Sequence, residues 1–153
     1  MASVREEAQA LRAGLIGNVV NISEVVSWAD ARIAEGQGSV APQLLDLALL
    51  RAGDIAGAVT LLGAVPGEWN AGEAGRHIAR LVHGRLLNGS ITERQAASAL
   101  YIAMREGLAP DEQFVGMAYH FTDGVDLAVN GIYGNLTDLR TEMLDYLSLV
   151  CRT

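Results

Sequence analysis

The chain has 153 residues, of which 50% are hydrophobic and 19% charged, so it is too apolar for a disordered segment and has the length of one folded domain, 1–153. Its single cysteine, Cys151, excludes an intrachain disulfide and a zinc site built from several thiolates. Eleven Arg and eighteen acidic residues give a net charge of −7, which disfavours general nucleic-acid binding because such binding depends on cation contacts to phosphates.

Nothing in the sequence predicts export or a membrane span. Charged residues stand at Arg5, Glu6 and Glu7, where a secretory signal requires an apolar run, and no uncharged stretch approaches the roughly 18 residues of a span. The expectation is a cytoplasmic protein.

Local signals predict helices almost throughout. Ser3, followed by Glu6, has the spacing of a capping box and begins the first helix. Ser23 is predicted to cap a second helix, which Gly36 ends in a left-handed conformation. The loop over residues 36–39 is expected to be flexible.

The next helices follow the same logic. Pro42 suits the first turn of a third helix over residues 43–52, and Asp54 can cap a short fourth one. Asn70 opens a fifth helix that reaches Leu87 before an Asn-Gly pair ends it.

The second half continues the pattern. Thr92 begins a sixth helix, and a Pro followed by Asp111 opens a seventh. Within it, Asp123-Gly124 is a turn-prone pair that predicts a kink or a stop. The last helix begins at Leu136 or at the residue after it. Because no alternating strand pattern competes, the prediction is an all-α single domain of seven or eight short helices.

Two segments, residues 22–42 and 91–110, share one order of signals. Each has an Ile-Ser/Thr-Glu triplet, a helix, a Gly and then Ala-Pro, at offsets of 69 residues for the Ile and 68 for the Pro. One interpretation is two copies of a helical hairpin, which would favour a short solenoid-like stack with a concave protein-binding face. The other is that capped helices ending in Gly and followed by Pro look alike without duplication.

The usual catalytic motifs are missing from the sequence. It has no phosphate loop, G-x-S-x-G, H-E-x-x-H or C-x-x-C pattern, and no metal or cofactor is predicted. His77 and His83 are six residues apart, about 120° around a helix, so they cannot chelate one metal. His120 lies three residues before Asp123 and could be oriented by it as a catalytic base. The alternative is an exposed histidine favoured by a helix dipole, so the prediction is a protein that is not an enzyme.

Residues 70–105 form a basic island of net charge +3. It lies between residues 1–69, with a net charge of −4, and residues 106–153, with a net charge of −6. Arg76, Arg80 and His83 follow a helical spacing that predicts a continuous solvent-exposed stripe, with Arg85 to one side. The stripe could hold a nucleotide, a nucleic-acid backbone or an acidic partner. It could also pair with the acidic ends of the same chain, which the flanking negative field favours.

Trp69 lies in a Pro-Gly-Glu-Trp-Asn loop where no pattern demands burial. Tryptophan is a frequent interface anchor, but a loop Trp that folds back over the core is the alternative.

Two stretches carry a resemblance to known proteins: ISEVVSWAD, which begins at Ile22, and DGVDLA, which begins at Asp123 and runs into GIYG at residues 131–134. They are similar to a family of small, helical, acidic bacterial proteins of unknown function, some of which resemble immunity proteins encoded beside toxins. The resemblance carries no catalytic residue and does not extend to the basic island.

The predicted function is therefore a non-catalytic module that binds another protein, with an acidic surface that blocks a basic, toxin-like active site. The predicted partner-binding residues are Asp111, Glu112, Asp123, Asp126, Asp138, Glu142 and Trp69. The alternative is a small nucleotide- or nucleic-acid-binding protein that uses Arg76, Arg80 and Arg85, and an enzyme using His120 and Asp123 is the third hypothesis.

Overall fold

Helices dominate the computed structural model, which describes residues 2–36 and 40–152. Within these ranges it contains eight α-helices and no strand, which confirms the all-α prediction. The helices are α1 (Val4–Ile16), α2 (Ile22–Glu35), α3 (Pro42–Ala48), α4 (Ile55–Ala64), α5 (Ala71–Leu87), α6 (Glu93–Arg105), α7 (Glu112–Val129) and α8 (Leu136–Arg152). The loop that was expected to be flexible lies, at residues 37–39, outside the described ranges.

Side-chain caps fix most of the helix starts. The Ser3 hydroxyl accepts a hydrogen bond from the Glu6 N–H and the Glu6 carboxylate accepts one from the Ser3 N–H, so the predicted capping box is formed. Predicted caps are also confirmed at Asp54, Asn70, Thr92 and Asp111.

The predicted start of α2 is wrong, whereas its predicted end at Gly36 is confirmed, with a different backbone conformation. Its cap is Asn21, not Ser23, because Asn21 and Glu24 form a capping box over the first turn of the helix. At the other end, Gly36 has φ −69° and ψ 114°, an extended conformation rather than a left-handed one.

Two further expectations fail. The third helix ends at Ala48 and does not reach residue 52. The seventh helix is continuous through Asp123-Gly124. The reason is tertiary packing: a Cβ added at Gly124 would lie 3.0 Å from Leu139 Cδ1, so this glycine permits a close approach of α8 and does not break α7.

The helix contacts of the first half recur in the second. Five pairs of helices contact each other in each half. In the first half they are α1–α4, α2–α3, α3–α4, α1–α2 and α2–α4. The corresponding pairs of the second half, in the same order, are α5–α8, α6–α7, α7–α8, α5–α6 and α6–α8. The two helical hairpins of the duplication interpretation, α2–α3 and α6–α7, are therefore present, each within a larger four-helix unit. We call residues 4–64 the first unit and residues 71–152 the second unit.

The two units meet through equivalent helices, α1 against α5, with α1 also touching α6. The two hairpins do not contact each other anywhere in the described part of the chain. The solenoid-like stack with a concave face, which the duplication interpretation would favour, is not formed, because the units are joined through α1 and α5 and not by stacking of the hairpins.

A single buried apolar cluster spans both units, and its fully buried side chains include Phe114, Phe121, Leu47, Leu62, Ile78 and Leu100. The helices pack closely where residues are small: a Cβ at Gly75 of α5 would lie 1.8 Å from the carbonyl oxygen of Leu108. No helix of the described ranges is long and apolar enough to span a bilayer.

Candidate functional site

The second unit carries a groove between α7, α8 and their connection, residues 130–135. Leu127, Leu139 and Gly124 contribute to its lining, and its volume is about 580 Å³, within the range of ligand-binding clefts. Its full lining is His120, Gly124, Leu127, Tyr133, Gly134, Asn135, Asp138, Leu139 and Glu142. We call it the acidic groove, for the two carboxylates described next.

The acidic wall of this groove is one face of α8. Asp138 and Glu142 are four residues apart, so their side chains lie on the same side of the helix. Asn135 Nδ2 donates to Asp138 Oδ2 at 2.9 Å, and His120 Nε2 is 2.6 Å from Glu142 Oε1. Each carboxylate is thus oriented through one oxygen, and no other described side chain bonds the second oxygen.

Exposed apolar side chains stand beside the groove. Ile132 and Tyr133 have 71% and 78% of their surface in solvent, which is high for large apolar residues. They lie between Gly131 and Gly134, whose φ angles of 68° and 71° give a left-handed turn at each end. The backbone N–H groups of Ile132 and Tyr133 both donate to the Leu127 carbonyl, which fixes the loop against the end of α7.

The predicted acidic residues do not form one surface. Asp123 is exposed next to Gly124 of the groove, but Asp126 points to α6 and pairs with Arg94 at 3.1 Å. Asp111 caps the opposite end of α7, where Glu112 occupies the first turn, and both lie about 12–14 Å along the helix from His120 of the groove at 1.5 Å rise per residue. Only Asp138 and Glu142 line the groove, with Asp123 near its edge.

Trp69 lies apart from the acidic groove. It is 41% exposed, and the Arg5 guanidinium carbon is 5.0 Å from its ring centroid, a cation–π distance. The prediction that Trp69 joins the acidic residues in one site is therefore not supported by its position.

The arginines of the alternative site do not converge. Arg76 pairs with Glu73, and Arg85 bonds Glu24 at 2.9 Å and also the Val19 carbonyl. Arg80 is exposed, whereas Arg76 and His83 are partly buried. The expected continuous solvent stripe is therefore wrong, because Arg76 is paired with Glu73 and both Arg76 and His83 are partly buried. Arg85, to one side of the stripe, pairs with Glu24 of the acidic first segment, as the alternative predicted.

The geometry around His120 differs from the predicted one. Its partner is Glu142, from the next helix, and not Asp123. The His120 and Glu142 side chains are about half exposed, at 51% and 49%, and the groove lining contains no Ser, Thr or Cys side chain that could act as a nucleophile. Among the described residues no group of three or more His, Cys, Asp or Glu could hold a metal ion.

A polar cluster that sequence reasoning missed joins α1, α2 and α5. The Glu7 carboxylate accepts hydrogen bonds from Trp28 Nε1 at 3.3 Å and from Arg32. Burial lowers the pKa of the nearby His77 below 6.5, while the Glu7 charge opposes that shift. Nothing in the local sequence links these residues, since they come from three helices.

Searches with protein-family models, curated proteins and solved structures found no match to this chain. The residues themselves therefore carry the functional argument. One signal for the groove was present in the sequence: a Gly-Ile-Tyr-Gly loop places two large apolar side chains in a tight connection that offers them little surface to pack against.

Proposed function

We propose that this protein is a non-catalytic binding module that recognises a basic protein through the acidic groove. The observation that carries the proposal is the placement of Asp138 and Glu142 on one wall of a groove whose lining also includes Leu127 and Leu139.

This combination suits an arginine or lysine side chain. The methylene stem of such a residue packs on apolar surface while its charged head reaches a carboxylate. A guanidinium can bond the free oxygens of Asp138 and Glu142, and charge-assisted hydrogen bonds of this kind are the stronger ones. Tyr133 adds an exposed aromatic ring, and tyrosine is enriched among the residues that dominate interface energies.

Long-range charge supports the same partner. Residues 106–153 carry eight acidic residues and two arginines, a net charge of −6. Such a field attracts a cationic surface and speeds its association. The role we propose is that of an immunity-like inhibitor in the cytoplasm, which covers the basic active site of a toxin and competes with its polyanionic substrate.

The test is a selection from a phage-displayed random peptide library against the folded protein, followed by affinity measurements on the selected peptides by fluorescence anisotropy. The variant is the double substitution Asp138→Asn and Glu142→Gln. The matched control is Asp30→Asn and Asp46→Asn, which makes the same change in net charge at exposed positions of α2 and α3. Thermal unfolding of both variants establishes that they are folded.

We expect selected peptides to be rich in Arg or Lys next to apolar residues. Their affinity should fall at least tenfold in the groove variant, about 1.4 kcal/mol, and less than twofold in the control. The proposal is wrong if no binder is selected, if the selected peptides lack positive charge, or if both variants lose affinity equally.

A further inference from the structure

The first unit carries a second groove, whose walls correspond only in part to those of the acidic groove. The acidic groove uses the α7–α8 connection, and this one uses the α3–α4 connection together with the end of α1 and the start of α2. Its volume is about 460 Å³, and it is lined by Leu15, Asn18, Val20, Asn21, Ile22, Ser23, Val26, Ser27, Leu50, Ala52, Gly53 and Ile55. We call it the neutral groove.

The lining of the neutral groove contains no ionisable side chain. This separates it from the acidic groove, which has two carboxylates and a histidine. A charged ligand in the neutral groove would lose hydration without gaining a counter-charge, which is unfavourable. An uncharged, mostly apolar ligand would lose only apolar hydration, which is favourable.

Polar groups are gathered along one side of the neutral groove. They come from the α1–α2 connection and the first turns of α2. The side chains of Asn18, Ser23 and Ser27 make no hydrogen bond to another described residue. Asn18 also has a positive φ of 59°, a conformation in which Asn is enriched among non-glycine residues. The opposite wall is aliphatic, with Leu50 and Ile55.

The volume favours a small molecule. Clefts of roughly 300–1,000 Å³ with apolar walls and a few convergent polar groups are typical small-molecule sites. We propose that the neutral groove binds an uncharged, largely hydrocarbon small molecule with one hydrogen-bonding group, whose chain lies on Leu50 and Ile55 and whose polar end meets Ser23, Ser27 or Asn18.

The test uses the neutral fluorophore N-phenyl-1-naphthylamine with the full chain. We expect its fluorescence to rise on binding with a stoichiometry of one, and 1-octanol to displace it. Octanoate, which has the same chain length with a charged head, should displace it at least tenfold less effectively, because the groove offers no cation.

Two variants locate the site. Ser27→Phe, at an exposed position of α2, fills the groove, and Ile55→Asp, at an exposed position of α4, places a charge in it. Each should weaken probe binding at least tenfold with the thermal unfolding transition retained, while Tyr133→Ala in the acidic groove should change it less than twofold. The proposal is overturned if the probe does not bind, if octanoate competes as well as octanol, or if Tyr133→Ala abolishes binding while Ser27→Phe does not.

Discussion

The carboxylate of Glu6 accepts a hydrogen bond from the backbone N–H of Asn70 at 2.6 Å. Glu6 belongs to the first turn of α1 and Asn70 caps α5, so this bond ties together the starts of the two helices through which the units meet. Glu6 is 6% exposed and is the one buried charged residue of the described chain. It therefore serves the capping box of α1 and the joint between the units.

Replacing Glu6 with Gln should destabilise the protein at neutral pH. The amide keeps the shape but loses an acceptor charge that serves two backbone N–H groups, at Ser3 and Asn70. Leaving buried partners poorly satisfied costs about 1–3 kcal/mol. Urea unfolding at pH 7 measures the effect, and Glu112→Gln, an exposed first-turn residue of α7, should change stability by less than about 0.5 kcal/mol. Equal losses in both variants would contradict this role.

Acid should weaken the same joint. The hydrogen bond from the Ser3 N–H, with a second from Asn70, lowers the pKa of Glu6 below its usual 4.5 although burial opposes the shift. A depressed folded-state pKa contributes stability that is complete above about pH 4.5 and is lost as the pH falls through the folded value. Unfolding free energies measured between pH 6 and pH 3 should therefore fall less steeply in Glu6→Gln than in the parent protein.

His77 should produce a separate pH dependence at higher pH. Burial lowers its pKa below 6.5 in the folded chain, so the unfolded chain takes up a proton first as the pH falls. The associated stability is complete above about pH 6.5 and decreases as the pH falls from there towards the folded value. We expect His77→Gln to reduce the difference in unfolding free energy between pH 7.5 and pH 5.5. A titration of the ring by NMR with a midpoint at or above 6.5 would be inconsistent with this.

Two glycines of α5 should respond to alanine in opposite directions. A Cβ at Gly75 would lie 1.8 Å from the Leu108 carbonyl oxygen, whereas one at Gly84 meets nothing within 4 Å. Gly84→Ala should stabilise the helix by roughly 0.5–1 kcal/mol. Gly75→Ala should destabilise the protein by about 1–3 kcal/mol, because backbone must move. Thermal unfolding of the pair tests the close approach of α5 to residue 108 directly.

Charge at the edge of the acidic groove should control the rate of association. For a basic peptide selected as described above, the association rate should drop steeply between about 0.05 M and 0.5 M salt because screening shortens the range of the field. Asp123→Asn should lower mainly the association rate, since Asp123 is exposed outside the lining, and Glu142→Gln should raise mainly the dissociation rate. Stopped-flow measurements separate the two, and a rate that is insensitive to salt would argue against steering.

Helix starts could be predicted because their signals are local. Ser3, Asn70 and Thr92 cap the helices that their sequences indicate, since each side chain bonds an N–H three residues away. The error at Ser23 had a local remedy: Asn21 and Glu24 have the capping-box spacing, and the structure uses it.

Tertiary contacts account for most of what the sequence did not reveal. Gly124 looks like a turn residue until Leu139 is placed against it. Arg85 looks like part of an anion site until Glu24, 61 positions earlier, is found beside it. The partner of His120 is likewise 22 residues away in Glu142. Local propensity carries no information on such pairs. The sequence therefore predicted carboxylates for the binding site, but not which of them lie together in one groove.

The repeated arrangement of helices also bears on how such a chain can diversify. Each groove has walls drawn from one continuous half of the sequence, at residues 15–55 and 120–142. Substitutions that change the lining of one groove leave the lining of the other unchanged, while the contact between α1 and α5 holds the two units together. Descendants of one ancestral scaffold could thus acquire two independent specificities by point mutation alone.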